Sequence, residues 1–257
     1  MSLVERISKG GVEQLRLARD PVNALNPALC VDIATALRSA INDGAQGIVL
    51  SGGPSVFSAG LDVPYLLSLG DDRAALTAAW EAFFDVARAL ADSPVPVVAA
   101  MAGHAPAGGC VLALCCDYRV IGQSPDPAKP FRIGLNETQV GLVAPEGIQR
   151  LLRRVVGPHR AERLLVAGEL VPADRAVQYG MVDELVDLEE VVPRACAWLE
   201  QLLALPREAM LDTRQIARAD LVQALQPEFI QLHRFIEAWS APQTQAALHA
   251  LVAKLGK

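Results

Sequence analysis

The chain has 257 residues, with 23 Lys plus Arg, 29 Asp plus Glu and a formal net charge of −6. A hydrophobic fraction of 52% and this modest charge exclude disorder, and the length suffices for a substantial buried core. The acidic balance, without a Lys/Arg block, argues against nucleic-acid partners, and the five Cys are too few for a disulfide scaffold and suit a reducing, cytoplasmic setting.

In chain order, Val4 to Ile7 and Val12 to Leu17 read as two strands around Lys9-Gly10-Gly11. Asn26 before Pro27 is a cap followed by a first-turn proline, and Leu29, Ile33, Leu37 and Ile41 recur every four residues. That pattern predicts an amphipathic helix ending near Gly44. Gly47 to Leu50 reads as a short apolar strand, Ser51 to Gly60 as a loop, and Asp71 to Leu90 as a second helix.

From Ser93 to Cys116 there is no Asp, Glu, Lys or Arg, a run long enough to suggest a membrane span. Pro94, Pro96, Gly103, Pro106, Gly108 and Gly109 interrupt it, so the run predicts a buried strand (Val95 to Met101), a turn and a buried helix (Gly108 to Cys115). No membrane association is expected, and the N-terminus lacks the pattern of a secretory signal. The second half reads as helices: Gly147 to Val156, His159 to Ala167, Pro172 to Tyr179, Leu188 to Leu203, Arg207 to Ala217 and Leu221 to Leu255. No linker or fixed-period repeat divides the chain.

Three segments carry candidate chemistry. In Phe57-Ser58-Ala59-Gly60-Leu61-Asp62, Gly60 permits an unusual backbone angle that points the Leu61 N–H into a cavity; equally, the segment reads as a strand-to-helix loop with Asp62 near a helix start. In Gly103-His104-Ala105-Pro106-Ala107-Gly108-Gly109-Cys110, small residues precede a buried helix whose first N–H groups have no internal acceptor, which suits an oxyanion or simply close packing. In Leu135-Asn136-Glu137-Thr138-Gln139-Val140-Gly141, Asn136 reads as a cap and Glu137 as a first-turn carboxylate in an apolar neighbourhood, which would raise its pKa and strengthen it as a base. Cys110, Cys115 and Cys116 lack a metal-ligand spacing and read as core; no metal site is expected. A Ser58–His104–Asp62 triad has no supporting nucleophile elbow. Glu146, after Pro145, reads as a helix-start carboxylate or as a second acid at the pocket mouth.

Taken in order, these segments resemble the crotonase (enoyl-CoA hydratase/isomerase) superfamily. The resemblance extends through Cys116-Asp117-Tyr118-Arg119, Gly157-Pro158-His159-Arg160-Ala161-Glu162-Arg163 and Ala176-Val177-Gln178-Tyr179-Gly180-Met181-Val182-Asp183. Within it, Leu135 to Gly141, Pro106 to Cys110 and Pro21-Val22-Asn23 are most similar to the mitochondrial-type 3,2-trans-enoyl-CoA isomerases. The resemblance implies an α/β fold: a spiral of β-β-α units over residues 1–195, with a helical oligomerisation region over 196–257 that forms a homotrimer or hexamer. It implies Glu137 as the base and the backbone N–H groups of Leu61 and Gly108 as the oxyanion hole. Hydratases carry a second glutamate where Val111 stands here, so the resemblance points to isomerisation. It also implies an acyl-CoA thioester substrate with no separate cofactor. Ala59, Asp62, Leu66, Leu67, Val111, Leu112 and Leu142 are the expected substrate contacts, with Arg19 toward a CoA phosphate and Phe235 toward the adenine. Other crotonase-type reactions (hydration, dienoyl isomerisation, thioester hydrolysis) and a non-catalytic acyl-CoA-binding protein are the competing readings.

Overall fold

The computed structural model describes residues 2–255, so Met1, Gly256 and Lys257, at the outer ends of the two expected regions, lie outside it. β1 (Val4–Lys9) and β2 (Val12–Leu17) form an antiparallel hairpin. β3 (Gly47–Ser51), β4 (Val97–Met101), β6 (Tyr118–Gly122) and β9 (Glu184–Val186) then add in parallel, giving the order β1-β2-β3-β4-β6-β9. A second, small sheet joins β5 (Ala105–Pro106), β7 (Arg132–Gly134) and β8 (Val171–Pro172).

β3 and β4 are buried along their whole length, as parallel strands covered on both faces must be. Their alternation sorts the two faces. Val49, Val98, Ala100 and Val120 meet Ala195 and Leu199 of α8 (Val191–Leu203). Ile48, Leu50, Val97, Ala99 and Met101 face the larger core under α1 (Pro27–Asn42) and α3 (Arg73–Ala91). α1 begins as the sequence predicts: Asn26 Oδ1 accepts from the Leu29 N–H at 2.9 Å, Pro27 occupies the first turn, and Leu29, Ile33 and Leu37 are buried.

The uncharged run becomes β4, β5 and α4 (Gly108–Leu114), with every residue of α4 buried. Among the described residues no helix is long and apolar enough to cross a membrane. The short α2 (Val63–Ser68) and the strands β5 to β9 had no separate signal in the sequence. They are two to six residues long, and their pairing depends on partners distant in the chain.

The remaining helices are α5 (Glu146–Val156), α6 (Pro158–Ala167), α7 (Ala173–Gln178), α9 (Arg207–Ala217), α10 (Ala219–Ala224), α11 (Pro227–Ile230), α12 (Leu232–Trp239) and α13 (Pro242–Leu255). The single helical stretch expected from Leu221 to Leu255 is therefore four helices. Pro227 and Pro242 restart the chain, and Gln231 takes φ +46° between α11 and α12. The expected boundary at 195/196 falls inside α8, where Ala195 and Cys196 are both buried against the sheet. Ile230, Phe235, Ile236 and Trp239 of the C-terminal helices are buried in this chain's own core.

Candidate active site

A cavity of about 550 Å³ opens between α2, α3, α4, the turn after β7 and the C-terminal helices. Its walls come from stretches scattered along the chain, and three loops supply its polar groups.

The first is Phe57 to Asp62. Gly60 sits at φ +84°, and a Cβ there would lie 3.0 Å from the Gly108 nitrogen. Glycine thus lets the two candidate donor loops touch. Leu25 pairs with this loop through its N–H to Gly60 O (2.7 Å) and through the Asp62 N–H to Leu25 O (3.0 Å). That pairing leaves the Leu61 N–H on the opposite side, and Leu61 lines the cavity. The loop is pinned from behind: Asn23 Nδ2 donates to Phe57 O (3.1 Å), Ser58 Oγ donates to Asn23 O (2.8 Å), and the Ala59 N–H donates to Val22 O (2.9 Å). Asp62 caps α2 through the Tyr65 N–H (3.0 Å) and accepts from Arg19 Nη2 (2.6 Å).

The second loop ends in Ala107, a non-glycine residue at φ +47° and ψ −118°. Such a backbone costs on the order of 1–3 kcal/mol and persists only where the surroundings impose it. Here the Ala107 N–H donates to Gly134 O (2.8 Å) as β5 pairs with β7. Among the described residues neither the Leu61 N–H nor the Gly108 N–H has an acceptor, and both residues line the cavity.

The third is the 3-10 turn Glu137–Val140. Glu137 lines the cavity beside Val140, Leu142, Ala144 and Ile148, and its Oε2 is buried without a hydrogen-bond partner. Burial pushes its carboxyl up to about 7, with the backbone N–H of its own residue pulling weakly the other way. A proton acceptor poised near neutrality thus faces two unused N–H donors, with the apolar Val111 on the α4 wall.

The fold is shared with known proteins. Residues 8–253 match the model of the enoyl-CoA hydratase/isomerase family. The chain belongs to this family. It is 33% identical to the human mitochondrial enoyl-CoA delta isomerase 1, over 98% of this chain and 83% of that protein. It is 32% identical to a probable enoyl-CoA hydratase of Mycolicibacterium paratuberculosis, over 91% and 88% of the two chains. The crystal structure of human mitochondrial delta3-delta2-enoyl-CoA isomerase superposes with a TM-score of 0.91 at 31% identity, covering 99% of this chain and 98% of that one. The protein is therefore an enzyme of the crotonase fold.

Of the residues expected at the substrate site, Ala59, Leu61, Asp62, Leu66, Gly108, Val111, Glu137 and Leu142 line this cavity. Leu112 does not: it follows Val111 on α4, and the 100° step of the helix turns it into the core, fully buried. Leu67 is likewise off the wall, because Leu66 is the residue α2 turns inward. Glu146 is exposed at the start of α5 and pairs with Arg150 at 2.6 Å, so it is no second acid at this cavity. Arg19 stands on the cavity wall, but its guanidinium holds Asp62 and donates to Ala24 O at 2.7 Å. Phe235 is buried edge-to-face on Trp80, ring centroids 4.4 Å apart, on the inner wall.

His104 lies outside the cavity, where its Nδ1 accepts from the Arg132 N–H at 3.1 Å and its ring meets Phe131. With Ser58 fully buried and hydrogen-bonded to backbone, no triad forms. Asn136 does not cap the turn. Its Oδ1 is buried without a partner, and the residue lines the cavity beside Glu137. Sequence reasoning missed the aromatic wall of Trp80, Phe83, Phe84 and Trp239. The first three share the inward stripe of α3, a periodicity visible in the sequence, but the cavity they face is set by α12. Leu248 and Leu251 of α13 complete the wall. Among the described residues no cluster of His, Cys, Asp and Glu has the makings of a metal site.

Proposed function

We propose that the protein shifts the double bond of a 3-enoyl-CoA to the 2-trans position, with Glu137 carrying the proton. The observation behind this reading is one unpaired, apolar-bound carboxylate facing two free backbone N–H groups across a cavity whose α4 wall presents valine. The thioester carbonyl accepts from the N–H groups of Leu61 and Gly108. Glu137, as carboxylate, removes a proton from C2, and the electrons move into a dienolate with its charge on the thioester oxygen. The two donors stabilise that charge as it develops, an interaction worth roughly 100- to 1,000-fold in rate per donor. Protonated Glu137 then returns the proton at C4, giving the conjugated product. No proton is gained or lost overall, and no cofactor beyond the CoA of the substrate takes part.

Hydration would need a second group to activate water. By the family resemblance, Val111 stands where hydratases carry that group, and Glu146 is exposed and paired with Arg150. An apolar wall also keeps water from the dienolate. We extend the proposal to a homotrimer or hexamer, on the family resemblance, and to the cytoplasm, on a cysteine usage that suits a reducing compartment.

The test is turnover of short, medium and long 3-enoyl-CoAs, followed by the absorbance of the conjugated product. Glu137→Gln is expected to lower isomerisation by roughly 100- to 10,000-fold while acyl-CoA binding is retained. Full activity in that variant, or faster hydration of 2-enoyl-CoA than isomerisation by the unaltered protein, overturns the reading.

A further inference from the structure

The carboxylate of Glu137 is not held by any side-chain hydrogen bond; its Oε2 has no partner at all. Its position is therefore set by the backbone of the turn that carries it. That turn is fixed on one side by the C-terminal end of α6: Gln139 Nε2 donates to Gly168 O at 2.7 Å, and Thr138 Oγ1 donates to Leu165 O at 3.3 Å. On its other side lies α13. There Thr244, 3% exposed, donates from Oγ1 to Gly141 O at 2.9 Å. Gly141 closes the Glu137 turn at φ +74°, and the next residue, Leu142, donates its N–H to Glu137 O at 3.0 Å. A Cβ on Gly141 would lie 3.4 Å from both Thr244 Cα and Oγ1, so the helix and the turn are already in contact.

Thr244 shares one face of α13 with Leu248 and Leu251, which stand four and seven residues further on and line the substrate cavity. The helical face that grips the Glu137 turn therefore also forms part of the cavity wall. We propose that Thr244 is a positioning residue: its hydroxyl clasps the C-terminal helix to the Glu137 turn and couples seating of that helix to placement of the base. The catalytic consequence rests on the isomerase reading; the mechanical one does not.

Two measurements separate them. The first is kinetics of Thr244→Val and Thr244→Ala, which lose the hydroxyl, and of Thr244→Ser, which keeps it. Val and Ala are expected to lower kcat on 3-enoyl-CoA roughly five- to tenfold with KM within about twofold, and Ser to restore kcat. The second is amide hydrogen exchange in the free protein. Residues 138–142 are expected to exchange roughly tenfold faster in Thr244→Val, together with the first turns of α13, at an unchanged Tm. Unchanged kcat in Val and Ala, failure of Ser to restore it, or exchange loosened in α13 alone overturns the clasp. If the unaltered protein turns over no 3-enoyl-CoA, the isomerase reading fails, and the exchange experiment still decides the clasp.

Discussion

A buried carboxylate is a cost to the fold, and Glu137 shows what that cost supports. Its pKa of about 7 in the folded protein, against an ordinary 4.5, comes from burial and not from a neighbouring charge. As a base it must be ionised, so kcat/KM should be low in acid and rise through a midpoint near 7 to a plateau above it. A flat pH profile from 5 to 9 contradicts this. The same shift dictates stability. The folded chain holds this proton more tightly than the unfolded one, so the contribution is full below about 4.5 and is lost as pH rises through about 7. Glu137→Gln should therefore unfold at a higher temperature than the unaltered protein at pH 8, with the gap narrowing toward pH 5. The shift from 4.5 to about 7 is worth at most about 3 kcal/mol, which bounds the size of the effect. Calorimetry at the two pH values measures it. The residue was legible in the sequence because Leu135, Val140 and Leu142 surround it. Its missing partner was not, because satisfaction of a hydrogen bond depends on every element that comes near.

Elements are held in place by a second buried set of charges, away from the cavity. Asp117, at the end of α4, accepts from Arg214 of α9 through Nε (2.7 Å) and Nη2 (2.8 Å), and from Arg218 Nη1 at 3.0 Å. Asp117 Oδ2 also accepts from the Val97 N–H (2.8 Å), so one carboxylate ties the start of β4 to the C-terminal helices. Burial pushes the Arg218 guanidinium down, and Asp117 opposes that push. Removing one partner of such a set leaves charge buried and uncompensated, which typically costs about 3–5 kcal/mol. Asp117→Asn is expected to destabilise by this order in urea unfolding while leaving the residues of the cavity unaltered. In the sequence, Cys116-Asp117-Tyr118-Arg119 was a family signature without a mechanism. The signature's purpose lies in Arg214 and Arg218, about a hundred residues away. Arg119 answers in the same way, through Asp183 at 2.9 Å.

At the scale of the molecule, the C-terminal helices change meaning. By family resemblance they were an oligomerisation region over residues 196–257. Folded, Ile230, Phe235, Ile236 and Trp239 are buried in the chain's own core, with Trp80 stacked on Phe84 and edge-to-face with Phe235 and Trp239. Assembly into a trimer or hexamer then rests on family likeness, and light scattering should give three or six times the 27.4 kDa of one chain. A monomeric mass at micromolar concentration contradicts it.

The sequence by itself determined the local elements and the chemistry on offer. The caps and four-residue spacing of α1, the uncharged run that became strand, turn and helix, Glu137 in its apolar neighbourhood and the valine at position 111 are all local facts. Only the tertiary structure decided which of these meet. It brought Gly60 against Gly108, turned Leu112 and Glu146 away from the cavity, gave Arg19 to Asp62, and laid α13 against the Glu137 turn. The physical reason is range. Propensity and capping act over a few residues, whereas burial, unpaired hydrogen-bonding groups and close backbone approach are set by stretches far apart in the chain.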